Sequence, residues 1–332
     1  MKKMRVGIIG VGFIGAAHME ALRRLGFVDV VAIADVHNPQ QKADELYVKK
    51  GYLDYQEMIL NEQLDAVHVC TPNKYHFESA MFALEHDIPV LVEKPFTTSL
   101  PEATKLYKVA KERNLVTALN HSLRMNPQVQ QMKALVGNGE VGSIYAVHGS
   151  YLQDWLLYDT DWTWRLEPEF SGSTRAFSDI GSHWIDMVES ILGLRAVEVL
   201  AEFKTVHEIR KKPVGVVESF STKHDSNYEE KKIETEDWCS ILFKFENGAI
   251  GSVNVSQVTA GRKNQQIISI SGSKSSLHWD SEKANHLWIG NRSSYNQEVT
   301  KDPSLLTEPA KSVTSYPGGH VEGFAGRYGG NQ

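Results

Sequence analysis

The sequence predicts an α/β protein of two domains: a doubly wound parallel sheet over residues 1–122, then an α+β domain over residues 123–332 with a large, mostly antiparallel open sheet. Three observations point there. Short apolar strands alternate with amphipathic helices over the first 120 residues, the pattern of a parallel sheet covered on both faces. After about Ser122 strands dominate. A chain of 332 residues is also long enough for about two domains.

Met4–Ile9 reads as a buried strand ending in a glycine turn, and Phe13–Leu25 has helical spacing through Ile14, Ala17, Ala21, Leu22 and Leu25, stopping at Gly26. Val28–Asp35 is a second strand and Leu64–Cys70 another, closed by Thr71-Pro72, because proline has no N–H for the ladder. A helix at Tyr75–Glu85, a strand at Pro89–Val92, a helix at Glu102–Arg113 and a strand at Val116–Leu119 complete the series. Beyond it lie a helix at Gln128–Leu135, a strand at Ile144–Gln153, an aperiodic stretch at Asp154–Ala176 and a helix at Asp179–Leu192 ending at Gly193. Strands then follow at Val197–Val206, Cys239–Phe245, Ala249–Val258, Gln266–Ser271 and Ser276–Trp279. Asn247-Gly248 predicts a hairpin with both residues at positive φ. The charged excursion Lys223–Lys232 reads as a surface loop, as does Arg210-Lys211-Lys212.

Composition narrows the function. With 35 Lys and Arg against 41 Asp and Glu, the net charge is −6, and no basic face exists for phosphate contacts, so nucleic acid is excluded as a partner. No apolar run reaches the roughly 18–20 residues of a membrane helix. Glycines interrupt the apolar N-terminus, which therefore reads as mature structure rather than a signal peptide. The two cysteines, Cys70 and Cys239, sit in separate apolar strands, so a disulfide is not expected and a reducing cytoplasm is the expected location.

Gly10-Val11-Gly12-Phe13-Ile14-Gly15 follows a strand and opens a helix, and Asp35 closes the next strand. Gly10 makes the turn, Gly12 admits a pyrophosphate to the backbone, Gly15 allows close packing, and the helix N-terminus carries positive partial charge. Asp35 can accept from both ribose hydroxyls and repels a 2′-phosphate, and no Lys or Arg follows within Val36–Pro39, so NAD is expected ahead of NADP. Thr71, Asn73 and His76 lie at one strand end, Glu93-Lys94-Pro95 at the next and Asn120 at a third, where open α/β sheets bind ligands, although strand-end capping also accounts for Thr71 or Asn73. Asp179 and His183 share a helix face, and an imidazole beside a carboxylate suits acid/base work as well as a structural pair. No His or Cys cluster has metal-ligand spacing, so no metal is expected. Trp155, Trp162, Trp164 and Arg165 in the aperiodic stretch are either core plugs or a sugar-binding loop.

Taken together these motifs resemble the Gfo/Idh/MocA oxidoreductases, the glucose–fructose oxidoreductase and inositol dehydrogenase family, over nearly the whole chain. The matches are the glycine turn, Glu93-Lys94-Pro95 and Asp179-x-Gly181-x-His183-x-x-Asp186, with Asn120-His121-x-x-Arg124 closing a Rossmann domain. The resemblance implies Lys94, Asp179 and His183 as the catalytic group of an NAD-dependent dehydrogenase of a sugar, anhydrosugar or cyclitol. It implies Arg124, Gln153, Trp155, Trp164 and Arg165 as further substrate residues, with Tyr151–Trp155 and Trp164-Arg165 similar to the branch acting on levoglucosan-like anhydrosugars. It also implies a homo-oligomer, dimer or tetramer. The family includes NAD-dependent glycosidases and non-catalytic dinucleotide-binding regulators as alternatives. Pro317–Phe324 resembles a stretch that in the family leads into a C-terminal helical region, whereas this sequence stops at Gln332, so a truncated or non-native end is expected.

Overall fold

A computed structural model describes residues 3–214 and 227–320. They form two compact units, one built on the chain up to His121 with residues 169–173 added, the other on residues 122–168 and from 174 onward.

The first unit runs β1 (Met4–Ile9), α1 (Phe13–Arg24), β2 (Val28–Ala34), α2 (Pro39–Glu45), β3 (Lys50–Tyr52), α3 (Tyr55–Asn61), β4 (Ala66–Val69), α4 (His76–Glu85), β5 (Val90–Glu93), α5 (Leu100–Glu112) and β6 (Thr117–Asn120). Its six strands pair in parallel in the order β3-β2-β1-β4-β5-β6. The order reverses between β1 and β4, which opens a crevice at their carboxyl ends. Because helices cover both faces, the strands are apolar on both: consecutive residues are buried, Ile8 and Ile9 in β1 and Ala32, Ile33 and Ala34 in β2. Residues 36–63 had no expected element, yet they form α2, β3 and α3. The seven-residue α2 buries Ala43 alone, and β3 has three residues, too few for a periodicity to show.

In the second unit, α6 (Pro127–Gly137), β7 (Ile144–Leu152), a one-turn α7 (Pro168–Ser171) and α8 (Ser182–Leu192) precede β8 (Ala196–Lys204), β9 (Ile209–Pro213), β10 (Tyr228–Lys232), β11 (Trp238–Phe245), β12 (Ile250–Ser256), β13 (Gln265–Gly272), β14 (Ser276–Asp280), β15 (His286–Gly290) and β16 (Gln297–Thr300). Eight strands form one sheet, β16-β15-β14-β13-β7-β12-β11-β8, parallel between β7 and β12 and antiparallel elsewhere. One face is packed. Val129, Met132 and Leu135 of α6 and Trp184, Met187, Val188 and Ile191 of α8 lie on alternate strand residues such as Cys239, Ile241, Phe243 and Phe245. The intervening Ser240, Leu242 and Lys244 are exposed on the other face.

Several expectations need correction. Arg210-Lys211-Lys212 is not a solvated loop but part of β9, and the last half of the Lys223–Lys232 excursion is β10; its start lies outside the described residues. Both strands lack an apolar alternation, so they escaped a reading based on burial. They pair antiparallel with Glu229 opposite Lys212, Glu230 opposite Lys211 and Lys231 opposite Arg210, so charge rather than apolar surface lines the pair. At the β11–β12 hairpin only Gly248 has positive φ (86°), not Asn247. Gly248 N–H donates to Phe245 O and Phe245 N–H to Ala249 O, which makes a three-residue loop instead of the expected two-residue turn. The helix expected from Asp179 starts as a π-turn, Phe177–Gly181, before α8 proper. Its Gly181 is needed for space, because a Cβ there would lie 2.5 Å from the Phe177 ring. Gln297–Thr300 and Lys311–Val313 are ordered, whereas the expectation about the chain end at residues 321–332 lies outside the described residues.

Candidate active site

The glycine turn joins β1 to α1, and its three glycines have separate physical causes. Gly10 has φ +83°, and a Cβ on it would meet Cys70 O at 2.8 Å, so the turn is pressed against the end of β4. On Gly15 a Cβ would meet Gly10 O at 2.1 Å, which is the close helix–strand packing expected there. Gly12 differs: a Cβ would meet nothing within 4 Å. Among the described residues no atom demands glycine at that position, which suits a backbone kept bare for a ligand at the N-terminus of α1. Phe13 is exposed in the first turn and Ile14 is half-buried. The buried Thr71 hydroxyl at the end of β4 has no hydrogen-bond partner, a polar atom left for a ligand to satisfy. These residues fit a dinucleotide.

Asp35 ends β2 with its carboxylate ordered: Oδ2 accepts Val11 N–H at 3.0 Å, and Oδ1 accepts His37 N–H at 3.0 Å and the Lys42 ammonium at 2.8 Å. Burial pushes its carboxyl up, but those bonds outweigh it and leave the pKa below the usual value. Two other candidates are engaged by backbone. Asn73 donates to Ser171 O at 3.0 Å, and the buried His76 ring lies 2.8 Å from both Pro95 O and Thr71 O, tying two strand ends together.

Glu93 ends β5 and Lys94 follows it, and the Lys94–Pro95 peptide is cis. The buried Glu93 carboxylate accepts from His18 Nε2 at 2.8 Å and from the Asn120 amide at Oε1, and from Lys94 N–H at 3.1 Å at Oε2. Asn120 is therefore a partner of Glu93 at the adjacent strand end. His18 in turn meets His68 Nδ1 at 2.9 Å. Burial pushes Glu93 up, and the bonds from His18 and Asn120 with the His18 and Lys94 charges bring it below the ordinary carboxylate value. The carboxylate thus fixes the peptide that carries Lys94.

In the second unit Asp179 accepts from Arg165 Nε at 3.2 Å and from Gln257 Nε2 at 2.9 Å, one donor on each oxygen. The Arg165 guanidinium lies over the Trp164 ring at 4.5 Å and the Trp155 ring at 5.9 Å. Trp155 donates to Gln153 Oε1 at 2.8 Å, so Gln153, Trp155, Trp164, Arg165 and Asp179 form one connected group. His183 is buried in the first turn of α8, one ring away from Tyr151 at 6.3 Å between centroids. Arg124 binds both Asp186 oxygens. Trp162 packs in a small core with Leu156, Leu166 and Ile233 instead.

Sequence reasoning missed the groups that support these side chains. Gln257 is fully buried and accepts from Arg175 at 2.6 Å; Arg175 pairs with Asp237, which also holds Arg210. An isolated glutamine just past a strand carries no signal of this kind. His18 had one, a histidine on the buried stripe Gly15-His18-Met19-Leu22 of α1. Lys42 had another, lying one turn inside the helix that follows Asp35.

Comparison with known proteins bears on the family and the fold. Residues 4–121 match a family model described as "Oxidoreductase family, NAD-binding Rossmann fold", and residues 129–278 match the "GFO/IDH/MocA C-terminal domain". The chain is 27% identical over 307 residues to levoglucosan dehydrogenase of Pseudarthrobacter phenanthrenivorans, spanning 87% of this chain and 76% of that one. Among solved structures, an oxidoreductase domain protein from Kribbella flavida superposes with TM-score 0.88 at 28% identity, covering 99% of this chain and 88% of the other. An inositol dehydrogenase homolog from Azotobacter vinelandii, complexed with NAD+, does so with TM-score 0.86 at 25% identity over 99% and 84%. With both of its halves matched by models of one family, and a nucleotide turn built as that family's description requires, this chain belongs to the NAD-binding Gfo/Idh/MocA oxidoreductases.

Proposed function

We propose that this protein is a dehydrogenase that oxidises a secondary hydroxyl of a sugar, anhydrosugar or cyclitol with NAD. The observation that carries the reading is Asp179: its carboxylate is held by one donor on each oxygen, on the same helical segment that presents His183. A carboxylate fixed in this way can anchor a substrate hydroxyl and orient an imidazole. The relatives point the same way, one named for an anhydrosugar and one for a cyclitol.

The bound nicotinamide supplies the hydride acceptor. His183 takes the hydroxyl proton as the carbinol C–H bond breaks, leaving the carbonyl product. Lys94 hydrogen-bonds the same oxygen and stabilises the negative charge that develops on it, and Glu93 holds the Lys94 peptide for that task. Asp179 anchors a neighbouring hydroxyl, while Arg165 between two indoles offers forked donors beside apolar ring faces, the two surfaces a sugar needs.

The test is a screen of NAD+ reduction over cyclitols, aldoses and anhydrosugars, scored by kcat/KM. NADH accumulation with at least one of these classes is expected, and His183→Ala lowers kcat on it by ~10²-fold or more while NADH still binds. Glycoside cleavage without net NADH, or unchanged turnover in the variant, overturns the reading.

A further inference from the structure

An Asp closing the second strand of a nucleotide fold favours NAD because a bare carboxylate repels a 2′-phosphate. Here the carboxylate is not bare. Lys42, in the last turn of the seven-residue α2, places its ammonium 2.8 Å from Asp35 Oδ1, which also accepts His37 N–H. Each carboxylate oxygen offers about two acceptor positions. Oδ1 is therefore filled, and Oδ2, already accepting Val11 N–H, has one position left. That leaves room for one ribose hydroxyl rather than two. The pair is also electrically neutral, and its cation is the more accessible member: the Lys42 side chain is 31% exposed and the Asp35 side chain 9%. An ammonium carries three N–H donors, of which one is on Asp35.

We infer that the Asp35–Lys42 ion pair, rather than Asp35 alone, reads the 2′ position of the adenosine ribose, and that the protein accepts NADP as well as NAD, with Lys42 taking the 2′-phosphate. Asp35 holds the remaining ribose hydroxyl through the free position on Oδ2. The pairing is specific in charge and reach: the ammonium neutralises the group that would reject the phosphate and supplies a charge-assisted bond to it. The inference rests on the nucleotide site alone and needs no sugar, so its failure and that of the dehydrogenase reading are separate results.

Calorimetric titration of the full chain with NADH and with NADPH, no substrate present, decides it. Wild type is expected to bind both, with a ratio of Kd (NADPH over NADH) below about 100. Lys42→Met raises that ratio by at least about tenfold, the effect of one charge-assisted bond, whereas Lys42→Arg keeps it near wild type. Asp35→Asn lowers it. No detectable NADPH binding by wild type, or an equal change for the two cofactors in Lys42→Met, overturns the inference.

Discussion

Each unit buries a carboxylate, and the two are kept charged by different means. In the first, Glu93 accepts from an imidazole, an amide and a peptide N–H. In the second, Asp237 lies between two fully buried arginines, Arg175 and Arg210, and accepts Val206 N–H at 2.7 Å. Burial pushes both carboxyls up, and in both the partners outweigh it and leave the pKa lowered. The difference is in the partners. Two planar guanidinium groups make the Asp237 cluster a charged brace, whereas Glu93 is held by the His18 ring, which also meets His68. The brace reaches Asp179 through Arg175 and Gln257, while the Glu93 cluster reaches Lys94 directly.

The largest effect should come from removing the central charge of the brace. Asp237→Asn leaves two buried guanidinium groups without a counter-charge and should cost about 3–5 kcal/mol in urea unfolding. A loss below about 1 kcal/mol would mean that the arginines find other acceptors and that the two clusters are alike.

Acid should divide the two clusters next. Burial pushes His68 down to about 3, with repulsion from His18 adding to it, so His68 stays neutral in the folded state. As pH falls below about 6.5 the unfolded chain takes up a proton there that the folded chain does not, and stability falls by up to about 1.4 kcal/mol per pH unit. Glu93 has a lowered folded pKa, so its contribution, present at neutral pH, goes only as pH drops further through that value. Urea midpoints between pH 6.5 and 4.5 should therefore decline more steeply in wild type than in His68→Asn. Equal slopes would remove His68 as a source of acid sensitivity.

The smallest effect concerns Gln257, a positioning residue that touches Asp179 rather than substrate. Gln257→Leu should lower kcat by about tenfold, near the loss of one bond to a charged group, with NADH affinity unchanged and Gln257→Glu no rescue because it would repel Asp179. A change confined to stability would make the link structural.

Most of the fold was legible because burial writes periodicity: the strands of the first unit and the alternation of β11 are visible in their apolar residues alone. β9 and β10 were not, because charged side chains line both strands and a charged run looks like a loop. Among candidate residues, Gly10, Gly12, Gly15 and Asp35 stood out because their spacing is local. Gln257 and Arg175 did not, because what they do depends on which distant side chain the fold brings to them; Lys42, seven residues past Asp35, has the ordinary look of a solvated helical lysine. His76 and Arg124 stood out for their chemistry, yet the structure engages one with backbone carbonyls and the other with Asp186.

The proposed mechanism turns on Lys94 and His183 serving the same chemical step. A double-mutant cycle on kcat, with Lys94→Ala, His183→Ala and the double variant and the best substrate from the screen, tests it most directly. Groups serving one step should be strongly non-additive: the double variant loses little more than the worse single, a coupling of about 1.5 kcal/mol or more. Effects that multiply independently, with no coupling, would contradict the account.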